Sequence, residues 1–147
     1  MRQEPPALLV SACLLGTCCN HEGGHSRRAS VIALASTDRL VPICPEACGG
    51  LSTPRPAAEL RGDRVVTEAG DDVTDAYARG AAAAVELAHA VGARRAVLKA
   101  RSPSCGSTQV YDGTFNRTLR DGDGVTAAAL RSAGVDVTSE EDIHPAT

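Results

Sequence analysis

Aromatic residues and lysine are scarce in this 147-residue sequence. It contains two tyrosines, one phenylalanine and no tryptophan, and Lys99 is its single lysine. Because large rings are so few, the core must consist mainly of Ala, Val, Leu and Ile, and alanine-rich helices pack closely against a sheet. The net charge is −3 and no basic tail is present. Strong nonspecific binding to nucleic acid is therefore not expected, since that binding depends on neutralised phosphates.

Long hydrophobic runs are also missing. No segment approaches the roughly 20 apolar residues that a membrane-spanning helix needs, and the polar, proline-bearing segment 1–6 lacks the pattern of a signal peptide. We therefore expect a soluble, cytoplasmic protein that does not bind membranes. Disulfides are uncommon in the reducing cytosol, so the six cysteines indicate metal, redox or nucleophilic chemistry. The alternative is that they are small buried hydrophobic residues.

The pattern of apolar segments and chain breakers predicts alternating strands and helices. Strands are expected at 7–12, 40–43, 96–100 and 135–137, helices at 26–40, 71–91 and 125–133, an irregular loop at 51–60, and a small strand or hairpin arm at 64–67. The length fits one domain, predicted over 1–147 with its core at about 7–141. The alternation predicts an α/β fold of three layers, α/β/α, with a mainly parallel, Rossmann-like sheet.

Three cysteines share one position relative to the predicted strands. Cys13, Cys44 and Cys105 each fall just past the end of a strand. In an open α/β sheet, ligands bind outside the carboxyl ends of the strands. The three thiols would converge there if their strands are neighbours, and three thiolates can bind zinc or an iron–sulfur cluster.

Two other cysteine arrangements leave the type of metal open. Cys44 and Cys48 have the spacing of a zinc knuckle, and Cys18 and Cys19 are a vicinal pair. A structural zinc site, however, usually has four protein ligands. A cubane cluster held by three cysteines leaves one iron open, which is what catalysis requires.

Polar residues lie close to these cysteines in the sequence. Glu46 is two residues after Cys44, and Ser102 and Ser104 precede Cys105. A carboxylate at the site could move protons, and a hydroxyl could orient a substrate or a water molecule. Their alternative roles are a solvated loop carboxylate and two turn or capping residues. Arg55 and Glu59 either pair with each other or face a ligand.

Several segments, taken in order, resemble a known family. They are 10–16 (VSACLLG), 41–46 (VPICPE), 49–55 (GGLSTPR), 72–74 (DVT), 98–106 (LKARSPSCG), 111–115 (YDGTF) and 122–126 (GDGVT). On the basis of these segments, the sequence resembles the thiouracil desulfidase family over about residues 8–140.

The resemblance implies a [4Fe–4S] cluster on Cys13, Cys44 and Cys105, with the fourth iron free to bind the sulfur of a thiocarbonyl. It implies an enzyme in which iron acts as a Lewis acid and sulfur acceptor without net redox change. Water then replaces sulfur at the ring carbon, so that 4-thiouracil gives uracil and sulfide. Glu46 corresponds to the family's proton-shuttling carboxylate. The catalytic serine lies in the SPSC segment, with Ser102 preferred and Ser104 in reserve.

The substrate is the least defined part of this prediction. After Cys19 the chain has Asn20, His21 and Glu22, where family members often have an aromatic residue and an aspartate, so the pocket loop differs. Relatives that act on thiolated tRNA carry an additional domain, which favours a free thiolated base or nucleoside here. We expect a monomer or homodimer. The rival hypotheses are a non-catalytic metal- or sulfur-binding protein and a metal-free cysteine-nucleophile or redox enzyme.

Overall fold

The structure is a computed structural model that describes residues 4–144, so both ends of the predicted domain 1–147 lie outside it. The strands are β1 (Ala7–Ser11), β2 (Arg39–Ile43), β3 (Ala58–Arg61), β4 (Arg64–Thr67), β5 (Arg95–Leu98), β6 (Gln109–Tyr111), β7 (Leu119–Asp121) and β8 (Asp136–Ser139). The α-helices are α1 (Ala29–Ile32), α2 (Pro45–Cys48), α3 (Thr74–Val91) and α4 (Val125–Ser132). Across this range, no helix is long and apolar enough to cross a bilayer.

A four-stranded parallel sheet in the order β2-β1-β5-β8 forms the centre of the molecule. Strand β1 is buried along its whole length, as expected for an apolar run inside a parallel sheet. It pairs with β2 on one side and with β5 on the other. The predicted α/β fold with a mainly parallel sheet is confirmed. Two antiparallel hairpins, β3-β4 and β6-β7, lie outside this sheet.

Alternate side chains of β1 contribute to two separate cores, because successive residues of a strand point to opposite faces. Leu9 belongs to the core that also contains residues of the long helices, such as Ala84 and Leu130. Leu8 belongs to the other core, with Val31 of α1. Helical segments thus cover both faces of the sheet.

The predicted helix over 26–40 is too long at both ends, because about half of this segment is helical. Only α1 and a 3₁₀ turn, Ala33–Ser36, are helical in this segment. The amides of Ser26 and Arg28 donate instead to the carbonyls of Cys13 and Leu14, both at 2.9 Å. Arg28 has an extended backbone (φ −134°, ψ 116°), so the helix begins at residue 29.

The loop predicted at 51–60 also differs from the structure, since its last residues form β3 and pair with β4. The arm predicted at 64–67 is β4, which confirms that prediction. The β6-β7 hairpin was not predicted, because each of its strands has only three residues and shows no clear alternation. The long helix, the last helix and the remaining strands agree with their predictions to within a few residues.

Two glycines allow α2 to lie directly against α3. A Cβ atom on Gly49 would overlap the carbonyl of Ala76, and one on Gly80 would overlap the carbonyl of Pro45. Glycine permits such close approach of two backbones. The contact holds α2, which carries Glu46, beside α3.

Candidate active site

The three cysteines predicted to converge lie at one end of neighbouring strands. Cys13 lies in the 3₁₀ turn Ala12–Leu15 after β1, Cys44 directly follows β2, and Cys105 lies in the loop after β5. Because β1 lies between β2 and β5, the carboxyl ends of these strands meet at one edge of the sheet. The structure therefore meets the geometric condition on which the predicted site depends.

All three cysteines line one cavity of about 620 Å³. Glu46 and Ser102 line it as well. Arg55 and Glu59 line it too, in agreement with the alternative that they face a ligand. The cavity walls also contain residues that the sequence argument did not place at the site, namely Ser11, Cys19, Tyr77, Lys99, Tyr111, Phe115 and Arg117. A concave pocket with several convergent polar groups is the usual form of an active site.

Burial disfavours the thiolate form of three cysteines that line the cavity, Cys13, Cys19 and Cys105. It raises the pKa of Cys13, against which Lys99 acts in the opposite direction. It also raises the pKa of Cys105 and of Cys19 to about 12. A metal-bound thiol, in contrast, is deprotonated outright. These thiols are therefore suited to bind a cationic group and poorly suited to act as free thiolate nucleophiles.

Glu46 is held at one oxygen by two donors. The Arg55 Nε donates to Glu46 Oε2 at 2.9 Å, and the Tyr77 hydroxyl donates to the same oxygen at 2.9 Å. The Arg55 side chain is only 5% exposed and that of Glu46 15%. Burial, followed by the nearby Glu46 charge, raises the pKa of Tyr77. The phenol therefore remains a donor.

The second oxygen of Glu46 is the one available for chemistry. Oε1 of Glu46 has no hydrogen-bond partner among residues 4–144. Every fully buried side-chain N or O atom in these residues does have a hydrogen-bond partner. Oε1 is therefore not fully buried, and Glu46 lines the cavity. A carboxylate fixed at one oxygen and open at the other can accept or deliver a proton.

Arg55 also connects the site loops to each other. Besides Glu46, its guanidinium donates to the carbonyl of Cys19 at 2.8 Å and to the Thr53 hydroxyl at 3.0 Å. Of the two alternatives left open by the sequence, Arg55 does not pair with Glu59. It pairs with Glu46 across nine residues, and the burial of both side chains makes this an internal ion pair.

The two serines of the SPSC segment have different environments. Ser102 lines the cavity and its hydroxyl accepts hydrogen bonds from the amides of Ser104 and Cys105, both at 3.0 Å. Ser104 is 1% exposed and its hydroxyl lies 2.8 Å from that of Thr126. Ser102 thus faces the cavity and shapes the turn that carries Cys105, whereas Ser104 anchors this turn to α4.

Lys99 and Glu140 form an ion pair at the cavity wall. The Nζ of Lys99 lies 3.3 Å from Glu140 Oε2, and the other oxygen of Glu140 accepts the amide of Ala100 at 2.7 Å. Glu140 is 2% exposed. The lysine amide itself donates to Ser11 at 2.9 Å. The only lysine of the chain is therefore placed at the site by β1, β5 and the segment after β8.

The described residues contain no group of three His, Cys, Asp or Glu side chains close enough to hold a single metal ion. This disfavours the zinc knuckle, and Cys48 is moreover exposed and outside the cavity lining. In a cubane cluster each cysteine binds its own iron, so the ligands stand further apart than around one ion. Three thiols spread around one cavity fit such a cluster.

Comparison with known proteins supports the same chemistry. A family model described as 2-thiouracil desulfurase matches residues 8–142. The protein YbbK of Bacillus subtilis (strain 168) is 40% identical in an alignment of 147 positions, which covers 93% of this chain and 97% of YbbK. The solved structure of the [4Fe-4S]-dependent thiouracil desulfidase TudS is 44% identical, with a TM-score of 0.88 over 94% of this chain and 93% of TudS. This chain belongs to the 2-thiouracil desulfurase family.

Proposed function

We propose that this chain is a [4Fe–4S]-dependent desulfidase. It converts a thiolated pyrimidine, a 4-thiouracil-like base or nucleoside, into the oxo form and releases sulfide. The observation that carries the proposal is the convergence of Cys13, Cys44, Cys105 and Glu46 on one cavity, in a chain of this family. TudS, at 44% identity, is a [4Fe-4S]-dependent enzyme.

Cys13, Cys44 and Cys105 would hold the cluster through their thiolates. When bound, the cluster supplies a Lewis acid that polarises the thiocarbonyl and accepts its sulfur. The positive Lys99 acts against the burial that raises the pKa of Cys13, because an opposite charge nearby stabilises the thiolate form.

Glu46 acts on the water that replaces sulfur at the ring carbon. Its Oε1 accepts a proton from this water, while Arg55 and Tyr77 hold Oε2. Fixing one oxygen keeps the other in a single orientation, and such positioning lowers the entropic cost of reaction. Ser102 lies on the same wall, and its hydroxyl orients the pyrimidine or the water.

The remaining predictions are also part of this proposal. All six cysteines are free, as in a protein of the reducing cytoplasm. With helical segments on both sheet faces, we retain the three-layer α/β/α, Rossmann-like description. The protein acts as a monomer or homodimer on a small molecule.

The metal-free alternative is disfavoured by the thiols themselves. A nucleophilic or redox-active cysteine needs a lowered pKa. Burial instead raises the pKa of Cys13 and Cys105. The other alternative, a non-catalytic metal- or sulfur-binding protein, differs from the enzyme because its function would not depend on Glu46.

The experiment is anaerobic iron and sulfide analysis, followed by addition of 4-thiouracil and observation of its near-ultraviolet band. We expect about four irons per chain and loss of the band. Cys105→Ala should lose the cluster, whereas Cys48→Ala, which changes an exposed cysteine, should retain it. No iron after reconstitution, or a full cluster in Cys105→Ala, would refute the ligand set.

Turnover variants test the chemical roles. Glu46→Gln should retain the iron content and lose desulfuration. Ser102→Ala should lose desulfuration per bound cluster, and its turnover is compared at matched iron content because its hydroxyl also accepts the amide of Cys105. A general acid–base group typically contributes about 10²- to 10⁴-fold, and we expect a loss of this order for Glu46→Gln. Unchanged turnover in that variant would favour a cluster-binding protein in which Glu46 has no catalytic role.

A further inference from the structure

The three aromatic residues of the chain all line the active-site cavity. Tyr77 is buried and bonded to Glu46, which accounts for its presence. Tyr111 and Phe115 are half-buried and are not explained by the chemistry described so far. Both belong to the β6-β7 hairpin, which lies outside the central sheet.

Phe115 has an unusual backbone conformation. Its φ is +59°, in the left-handed region that bulky residues seldom adopt. Residues in such conformations persist where the surrounding structure enforces them, and they concentrate at functional sites. Tyr111 lies in the regular part of β6 and shows no such feature.

Glu59 of β3 enforces this conformation from outside the hairpin. Its Oε1 accepts the amide of Gly113 at 3.0 Å and the amide of Phe115 at 3.2 Å. Arg61, also of β3, donates to the carbonyl of Gly113 at 2.9 Å. One carboxylate oxygen thus holds the loop on both sides of Thr114 and keeps the Phe115 ring at the cavity.

We propose that the ring of Phe115 is the stacking surface for the heteroaromatic ring of the substrate, and that Glu59 is its positioning residue. This inference rests on the proposed pyrimidine substrate and names the residue that selects a planar ring. A nucleobase presents a flat π-face, and aromatic side chains bind such faces by stacking. A half-exposed apolar ring in a cavity wall gains most when a flat ligand covers it.

The test compares uracil with 5,6-dihydrouracil as ligands of the anaerobic, cluster-loaded protein. The two present the same hydrogen-bonding groups, but the second has a saturated, puckered ring. Dissociation constants are measured by calorimetry, so that no turnover is required. The wild type should bind uracil more tightly than dihydrouracil.

Substitutions of Phe115 separate stacking from simple burial. Phe115→Ala should weaken uracil binding about 5- to 150-fold, the range that alanine substitution gives for base–aromatic stacking. Phe115→Leu keeps an apolar side chain without a π-face, and should still weaken uracil binding about 5-fold or more. Dihydrouracil binding should change much less, so the preference for uracil disappears. Phe115→Trp should preserve it. Leu119→Ala, on the same hairpin but outside the cavity lining, is the control and should bind both ligands as the wild type does.

The positioning role of Glu59 is tested in two backgrounds. Glu59→Ala should weaken uracil binding in the wild-type background and have no further effect in Phe115→Leu, because the carboxylate acts through the ring. Glu59→Gln retains an acceptor and should restore part of the affinity. Additive effects of the two substitutions would overturn the positioning role.

The outcomes distinguish this inference from the proposed function. Equal affinity of the wild type for both ligands, or unchanged uracil binding in Phe115→Leu, would overturn the stacking role even in an active desulfidase. A wild type that prefers uracil but leaves 4-thiouracil intact would support the stacking role and refute the desulfidase.

Discussion

The ion pair between Arg55 and Glu46 should be a major determinant of stability at the active site. The two side chains are 5% and 15% exposed and their charged atoms are 2.9 Å apart. Removing one partner of such a buried pair leaves an uncompensated charge and costs about 3–5 kcal/mol. Arg55→Met, which keeps the length of the side chain and removes its charge, should therefore lower the free energy of unfolding by about this amount.

This energy corresponds to a measurable change in melting temperature. For domains of this size, 1 kcal/mol shifts Tm by about 2–4 °C, so Arg55→Met should lower Tm by roughly 6–20 °C. The assay is urea and thermal unfolding of the metal-free, reduced protein followed by circular dichroism. Arg64, whose ion pair with Asp72 is largely exposed, provides the control. Arg64→Met should cost about 0–1 kcal/mol.

A double substitution tests the physical cause. Glu46→Gln together with Arg55→Met removes both charges, so part of the stability lost in Arg55→Met should return. If Arg55→Met costs no more than Arg64→Met, or if the double variant is less stable than the sum of its single substitutions predicts, the buried-charge reasoning is refuted.

Three further predictions concern other parts of the fold. Gly80→Ala would push a methyl group into the Pro45 carbonyl. It should lower the free energy of unfolding in urea by at least about 1–3 kcal/mol and should also lower turnover. A variant as stable as the wild type would contradict the close contact between α2 and α3. Ser104→Ala should lower the free energy of unfolding by about 1–3 kcal/mol in the same assay, because it leaves the buried hydroxyl of Thr126 unpaired. The cluster-loaded enzyme should keep its turnover. Abolished turnover at full cluster content would make Ser104 the catalytic serine. Hydrogen bonds from the Thr74 side chain and other neighbours lower the pKa of Asp72 from 3.8 to about 2. Its stabilising effect is thus present above pH 3.8 and is lost as the pH falls through about 2. The Tm difference between wild type and Asp72→Asn should accordingly shrink over this interval, and a difference independent of pH would refute the assignment.

Local patterns were sufficient to predict the central strands and the cysteines beyond them. The run Ala7–Ser11 is apolar throughout and is buried throughout, as a central parallel strand requires. The long helix was equally clear, because its pattern extends over many residues. In contrast, the predicted helix at 26–40 was too long at both ends. Residues 26–28 lie against the turn after β1 and residues 39–40 belong to β2, and no local pattern reveals these partners.

The pairing of charged and aromatic side chains could not be predicted from spacing. Arg55 is four residues from Glu59 and nine from Glu46, yet it binds the more distant carboxylate. Glu59 instead binds the amide of Phe115 across 56 residues. Such contacts depend on where the hairpins pack, and three-residue strands carry too little periodicity to predict them.

The sequence by itself determined the fold class, the family resemblance and the residues proposed to carry the chemistry, because strand-forming runs and reactive side chains are local properties. Only the tertiary structure decided that β1 lies between β2 and β5, so that three cysteines share one cavity. It also decided that Arg55 and Tyr77 hold Glu46 and that Ser102 faces the cavity while Ser104 is buried. The reason is physical: strand order and side-chain contacts arise from the burial of distant segments against each other, and no short window of sequence contains that information.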